Sequence, residues 1–166
     1  MPPRLVVDTA CVVWRWTGSA LDGAACARTA LRCALDQLGL DGEGIGDAML
    51  TVSELVANAS EHAPGPYELR IRRTAAGLIC EVEDGDPRIP EIPPVPATGP
   101  YGLPRPEGCG GGLDALLELL SERGRGLHVV EQLTQGAWGF RSDPDAGVKV
   151  AWFALSAAPL SRGGAL

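Results

Sequence analysis

The sequence predicts an α+β protein in which helices and a sheet form two layers, and three observations support this class. Apolar residues recur at helical spacing over about 22–38 and again over about 46–63. Two runs rich in strand-forming residues, YELRIRRT and GLICEVED, follow these helices directly, and a further strand pair closes the chain. Because the strands come in consecutive pairs, the order differs from the strict βαβ alternation of a parallel, doubly wound sheet.

The length and charge of the chain limit both its organisation and its partners. We expect 166 residues without an internal repeat to form one domain, 1–166. A net charge of -7 argues against nucleic acid as a direct partner, because the phosphate backbone would be repelled. Arginine outnumbers lysine thirteen to one, and the chain has no lysine-containing phosphate loop of the Gly-x-x-x-x-Gly-Lys-Ser/Thr type.

The cysteines and the apolar segments bear on where the protein works. The five cysteines include no Cys-x-x-Cys pair, so the sequence predicts neither a disulfide framework nor a zinc site. We find no signal-peptide pattern and no apolar run of about 18 residues. We therefore expect a cytoplasmic protein without a membrane span.

The first three elements are predicted from composition and spacing. Residues 5–16, LVVDTACVVWRW, are rich in β-branched and aromatic residues and predict one or two short strands. The first helix ends at Gly39, and its apolar stripe consists of Ala25, Leu31, Ala34, Leu35 and Leu38. The second helix is stopped by APGP, and its core face consists of Ala48, Val52, Leu55, Val56 and Ala59.

A long loop follows the first strand pair. Residues 87–106 contain eight prolines and the next six residues contain four glycines, so neither a helix nor a sheet continues through them. A loop of this length in a small domain is either disordered or functional. We then predict a short helix at 113–123, a glycine pair in RGRGL immediately before another helix, and a closing hairpin from WGFRSD to VKVAWFALS.

Three polar residues form a row on the second helix. Glu54, Asn58 and His62 follow one another at intervals of four, which places neighbouring Cβ atoms about 5 to 6 Å apart. The amide oxygen of Asn58 suits Mg²⁺, which takes one or two protein oxygens and fills its other positions with phosphates and water. Glu54 could accept the proton of an attacking hydroxyl or water. The alternative is a solvated polar face on an ordinary amphipathic helix.

Two further segments have a structural and a functional interpretation. CEVEDGDP is a strand that ends at Asp84, followed by a turn rich in Asp, Gly and Pro, and it could be only a turn. GRGL, residues 124–127, offers backbone amides ahead of a helix N-terminus, where phosphate binds, and it could be only a helix start. The three segments in this order, with a Pro/Gly-rich loop between the second and third, favour the functional interpretation.

Together, SELVANASEHA, VEDGDP, GRGL and the closing GVKVAWFAL resemble the histidine-kinase-like (GHKL) ATPases, most closely the small anti-sigma-factor serine/threonine kinases. The resemblance covers about residues 20–156. It implies the Bergerat ATP-binding fold, which is a two-layer α/β sandwich with a mixed, mainly antiparallel sheet and helices on one face. It also implies ATP and Mg²⁺ as ligands and an ATP lid at about 87–123.

The resemblance assigns roles to individual residues. Glu54 matches the family's N-box glutamate, the general base, and Asn58 matches its magnesium-binding asparagine. Asp84 matches the aspartate of the first glycine box, which reads the adenine amino group. The second glycine box, which packs on the phosphates, matches Gly124 and Gly126. The other residues predicted to contact the nucleotide are Asp86, Arg88, Arg123, Arg125 and Leu127.

The first glycine box departs from the family pattern Asp-x-Gly-x-Gly. The chain has Asp86 and Arg88 where the family has its two glycines, with Pro87 between them. The proline fixes its own φ angle. The Asp86 carboxylate would repel phosphates unless a cation bridges them.

The leading hypothesis is an ATP-binding switch protein that phosphorylates a serine or threonine of a small anti-anti-sigma (STAS-like) antagonist. A sigma factor is a second candidate partner, and a homodimer is left open. The alternative is a non-catalytic, partner-binding module with a degenerate nucleotide pocket. An autophosphorylating histidine kinase needs a phosphoacceptor on a helical hairpin, which neither His62 nor His128 provides, and His62 is interpreted as a helix-end residue. A conventional protein kinase is disfavoured because His-Arg-Asp and Asp-Phe-Gly are absent.

Overall fold

Five strands and three helices make up the part of the chain that the structure, a computed structural model, describes: residues 9–18, 23–40, 42–91 and 122–155. In chain order the elements are β1 (Thr9–Trp16), α1 (Gly23–Gln37), α2 (Glu43–His62), β2 (Tyr67–Thr74), β3 (Gly77–Asp84), α3 (Glu122–Thr134), β4 (Trp138–Asp143) and β5 (Val148–Leu155).

The strands form one sheet in the order β1-β2-β3-β5-β4, and each neighbouring pair is antiparallel. The predicted strands YELRIRRT and GLICEVED are β2 and β3 residue for residue. The predicted closing hairpin is β4 and β5, joined by a turn in which the Gly147 N–H donates to the Pro144 carbonyl oxygen at 3.2 Å. These observations confirm the predicted α+β class.

The helices cover one face of the sheet. Strand residues that alternate toward the helices are apolar and buried, and they include Leu69, Ile71, Cys80, Val82, Ala151 and Phe153. All five residues predicted for the core face of α2 are buried as well: Ala48, Val52, Leu55, Val56 and Ala59. The three-four spacing of apolar residues on α2 therefore predicts its buried face correctly.

The predicted stripe on α1 is only partly correct. Leu31 and Leu35 are buried as expected, but Ala25 and Leu38 are exposed. The buried side of α1 is Gly23, Ala27, Leu31 and Leu35. Ala25 lies two residues from this series, which is about 200° around the helix axis, and Leu38 follows the last helical residue.

The opposite face of the sheet is covered by ion pairs. Glu81 is completely buried at the centre of this face. Its carboxylate forms ion pairs with Arg70 Nε at 3.1 Å, Arg72 Nε at 2.9 Å and Arg141 Nη2 at 3.0 Å. Arg70 also binds Glu83, with 2.8 Å between Nη2 and Oε2. Burial alone would raise the pKa of Glu81, but the Arg72 hydrogen bond and the three positive charges lower it below its usual value.

The ends of α2 differ slightly from the prediction. The helix begins at Glu43, three residues before the expected 46, and Gly42 precedes it with a positive φ of 77°. It ends at His62, where Ala63 and Pro64 continue the chain in a non-helical conformation. The Tyr67 hydroxyl donates to the Ala63 carbonyl oxygen at 2.7 Å and so ties the start of β2 to this helix end.

Several predictions lie beyond the described residues. These are the first part of the predicted N-terminal strand, most of the Pro/Gly-rich loop and nearly all of the predicted helix at 113–123. In the ranges that are described, no helix is both long and apolar enough to cross a membrane.

Candidate functional site

The polar row on α2 borders the buried face of that helix. Glu54 and Asn58 are partly buried, whereas His62 is exposed at the last helical residue. The His62 ring lies 3.7 Å from the carboxylate of Glu61, measured from Nε2 to Oε2. Two members of the row therefore border the interior, and the third lies in solvent as the helix-end interpretation expects.

Glu54 faces α3 at close range. A Cβ atom added to Gly126 would lie 2.8 Å from Oε2 of Glu54, so the helices approach this closely only because residue 126 has no side chain. At the far end of the same helix pair, Leu133 lines a small cavity together with Ala48. The two helices thus run antiparallel, and the part of α2 beyond Glu54, which includes Asn58, extends toward the N-terminus of α3.

The two glycines lie inside α3, so the prediction that they precede the helix is wrong. α3 begins at Glu122, and Gly124 and Gly126 are its third and fifth residues. Glycine is a poor helix former, by about 1 kcal/mol relative to alanine, which is why the pair looks like a turn in the sequence. The first N–H groups of a helix have no acceptor within it, and that of Gly124 is among them. Gly126 has a different role, because its missing side chain lets α3 lie close to Glu54.

Other predicted residues lie at the limits of the described chain. The side chains of Arg123 and Arg125 are outside the described part, so their contact with phosphate stays a prediction. The same applies to residues 92–121 of the predicted ATP lid. Leu127 is partly buried and packs against the hydrophobic core.

Asp84 forms a buried ion pair with Lys149 at the end of β3. The two residues are directly opposite each other on β3 and β5, and they are exposed by only 2% and 5%. Lys149 Nζ lies 3.1 Å from each carboxylate oxygen of Asp84 and 3.3 Å from the Asp86 carbonyl oxygen. Burial raises the pKa of Asp84, and the hydrogen bonds from the Asp86 N–H and from Lys149 oppose this rise without cancelling it.

Asp86 has its own cation, Arg88. The Arg88 side chain donates from Nε to Oδ1 at 3.0 Å and from Nη2 to Oδ2 at 2.8 Å. The hydrogen bonds from Arg88 lower the pKa of Asp86 to about 2. The altered glycine box is therefore balanced in charge, because Lys149 offsets Asp84 and Arg88 offsets Asp86. The cation that the sequence requires beside Asp86 lies in the same loop.

Gly85 joins the corner formed by Asp84, Lys149 and the loop after β3 to the end of α2. Its N–H donates to the Pro64 carbonyl oxygen at 2.8 Å, and an added Cβ would lie 2.8 Å from that same oxygen. Only glycine allows the backbone of the glycine box to lie this close to the chain that leaves α2. The α2 end beyond Glu54, the α3 N-terminus and the Asp84–Lys149 corner thus lie at the same end of the helix layer.

The chain matches the model of a known protein family. A family model described as the histidine kinase-like ATPase domain matches residues 19–150, which is most of the chain. The chain belongs to the histidine kinase-like ATPase family. No curated protein matches the chain.

Membership of this ATPase family implies ATP binding, and the residues of the corner fit a nucleotide. The first turn of α3 offers backbone N–H groups to an anion, and Asp84 offers a buried acceptor. In the described part of the chain, no group of three or more His, Cys, Asp or Glu residues could hold a metal ion. A magnesium ion held by one amide oxygen, phosphates and water does not require such a group.

Two residues of this candidate site were missed in the sequence. Gly85 occupies a position where the family motif permits any residue, so the pattern gives no reason to single it out. The sequence did contain a signal for Lys149. It is the only lysine, and it lies at a spacing of two from Ala151 and Phe153, on the strand face that packs against the core. A lone cation on the buried side of a strand predicts a buried acidic partner.

Gly126→Ala is expected to disturb activity without weakening the fold. The new methyl group would displace the Glu54 carboxylate, which is the movable end of a side chain, and lower ATP-dependent turnover about 10- to 100-fold. The gain in helix propensity, about 1 kcal/mol, offsets the cost of the displacement, so the free energy of unfolding should not fall. Denaturant unfolding and turnover measured on the same preparation test both parts.

Gly46→Ala is the matched control for this substitution. Gly46 lies in α2, and an added Cβ would meet nothing within 4 Å. The control should gain about 0.5 to 1 kcal/mol of stability and keep full turnover. Full turnover in Gly126→Ala as well would show that the close contact with Glu54 has no functional importance.

Proposed function

We propose that this ATPase-family chain is a regulatory protein serine/threonine kinase whose substrate is a small anti-anti-sigma (STAS-like) protein. The observation that supports this most is the position of Glu54, partly buried against Gly126 and one helical turn from Asn58. In the proposed reaction the substrate hydroxyl oxygen bonds to the γ-phosphorus, and the bond from that phosphorus to the β–γ bridging oxygen breaks. Glu54 takes the hydroxyl proton, and ADP leaves.

The remaining roles follow from the chemistry of each group. The amide oxygen of Asn58 would bind Mg²⁺, which supplies charge neutralisation on the phosphates. The free N–H groups in the first turn of α3, including that of Gly124, would receive phosphate oxygens. The Asp84 carboxylate would accept the amino group of the base. Phosphoryl transfer depends mainly on positioning and charge, and these residues provide both.

Asn58→Ala tests the proposed magnesium ligand. The variant should need about tenfold or more Mg²⁺ for half-maximal transfer of labelled γ-phosphate to the partner proteins encoded beside it, because one protein oxygen is lost. Asn58→Asp keeps an oxygen at this position and should stay within about threefold of the wild type. Equal magnesium dependence of the alanine variant and the wild type would exclude Asn58 as the ligand.

The second candidate is a non-catalytic switch module that binds a protein partner and has a degenerate nucleotide pocket. The observation that favours it is the engagement of Asp84 by Lys149, because this carboxylate is already bonded. Calorimetric titration of the wild type with Mg-ATP separates the two candidates. A dissociation constant of about 1 mM corresponds to a binding free energy of about −4 kcal/mol. No detectable binding at this nucleotide concentration would favour the non-catalytic module.

A further inference from the structure

The Asp84–Lys149 pair is almost completely buried. Lys149 Nζ bridges both carboxylate oxygens at 3.1 Å, and the two residues are exposed by only 2% and 5%. A carboxyl group as buried as this becomes neutral unless a cation or several hydrogen bonds hold its charge. Lys149 is the cation that Asp84 contacts.

The two oxygens of Asp84 are not equally occupied. Oδ1 accepts both the Asp86 N–H at 3.0 Å and Lys149 Nζ at 3.1 Å. Oδ2 lies 3.1 Å from Lys149 Nζ in the ion pair, and no second described group donates to it. Because a carboxylate oxygen accepts about two hydrogen bonds, Oδ2 keeps one acceptor position for a ligand.

The titratable groups around Asp84 come from several elements. Lys149 lies on β5, Asp86 with its bound Arg88 lies in the following loop, and Tyr67 lies on β2. Burial and the charge of Asp84 raise the pKa of Tyr67, so the phenol stays neutral at ordinary pH. α2, which packs on β3, bears at this end His62 beside Glu61, and both are exposed. Lys149 is therefore the positive charge in direct contact with Asp84.

We propose that Lys149 is a positioning residue of the nucleotide site: it keeps Asp84 ionised and oriented, so that Oδ2 accepts an exocyclic amino group and the site prefers 6-amino over 6-oxo purines. The inference rests on the ATP binding of the proposed function. Without the lysine, a neutral Asp84 carboxyl would donate its own proton, which suits the 6-oxo group of a purine better than the 6-amino group.

The test compares the affinities for ATP and ITP, whose bases differ at this group. Wild type should bind ATP at least about tenfold more tightly than ITP, the effect of one hydrogen bond to a charged group, with a ratio that is constant from about pH 6 to about pH 9. Lys149→Met should lower this ratio about tenfold at neutral pH. The ratio should then recover as the pH rises through the pKa of the uncompensated Asp84, because the ionised form is again an acceptor only.

Two further variants keep the test decisive. Lys149→Gln is the substitute if the methionine variant does not fold, since it also removes the charge. In Lys149→Met combined with Asp84→Asn, the recovery at high pH should disappear because residue 84 no longer titrates. A purely structural role for Lys149 would change both affinities equally and leave the ratio unaltered.

The outcomes separate this inference from the function on which it rests. If the wild type binds neither nucleotide, the proposed function fails. If the wild type binds ATP and the lysine variants show the wild-type ratio of ATP affinity to ITP affinity at every pH, only the role of Lys149 is overturned. A wild-type ratio that itself varies over this pH range would also overturn it, because Asp84 would then titrate despite the lysine.

Discussion

Glu54→Gln is expected to lower phosphoryl transfer to the partner protein by about 10²- to 10⁴-fold, the usual contribution of a general base. Glutamine keeps the length and shape of the side chain, so its contact with Gly126 is retained, but an amide does not accept the proton of the hydroxyl. ATP affinity should change less than about threefold, since the phosphate contacts proposed above are made by other groups. Single-turnover transfer and a separate nucleotide titration measure the two quantities.

Glu61→Gln is the matched control for this substitution. Glu61 lies on the same helix and undergoes the same change of charge, but its side chain is 47% exposed and pairs with His62. The control should transfer phosphate at the wild-type rate. Equal losses in both variants would indicate a general effect of charge, and an active Glu54→Gln protein would exclude this glutamate as the base.

Glu81→Gln is expected to destabilise the fold by about 3 kcal/mol, the cost of removing one member of a buried ion-pair network. Glu81 is completely buried and binds three arginines, and the neutral amide would remove the negative charge that holds them together at the centre of the sheet. For a chain of this size the melting temperature should fall by about 6 to 12 °C. Thermal and denaturant unfolding measure the loss.

The pH dependence of this difference has a defined sign. The pKa of Glu81 is lowered in the folded state, so its contribution to stability is present above the usual value of 4.5 and is lost as the pH falls from there through the folded-state pKa. Wild type and Glu81→Gln should therefore converge in acid. Glu83→Gln is the control: Glu83 is 25% exposed and binds only Arg70 among the described ion pairs, so it should cost less than about 1 kcal/mol. Equal costs for the two variants would contradict the central role of Glu81.

Local patterns in the sequence predict much of the fold. The alternation in YELRIRRT and GLICEVED locates β2 and β3, because strands with one buried face repeat every two residues. The three-four spacing on α2 predicts its buried side and, by exclusion, the side on which Glu54 and Asn58 lie. Both signals depend only on residues that are close together in the chain.

The remaining features depend on contacts between distant residues. The opposition of Asp84 and Lys149 follows from the pairing of β3 with β5, and no local pattern specifies that pairing. The contact of Gly126 with Glu54 explains why a poor helix former lies within α3, but it becomes visible only once the two helices are packed. Local propensity therefore misplaced the glycine pair, because a tertiary contact overrides it.

The rarity of lysine gives the buried pair a chemical consequence. Lys149 is the only side-chain amine in a chain with thirteen arginines, and 95% of its surface is covered. Reagents that acylate primary amines therefore have one side-chain target, and that target lies beneath the corner proposed to hold the base. The rate at which the Lys149 amine is acylated would therefore measure how readily that corner opens. No other side-chain amine would contribute to the signal.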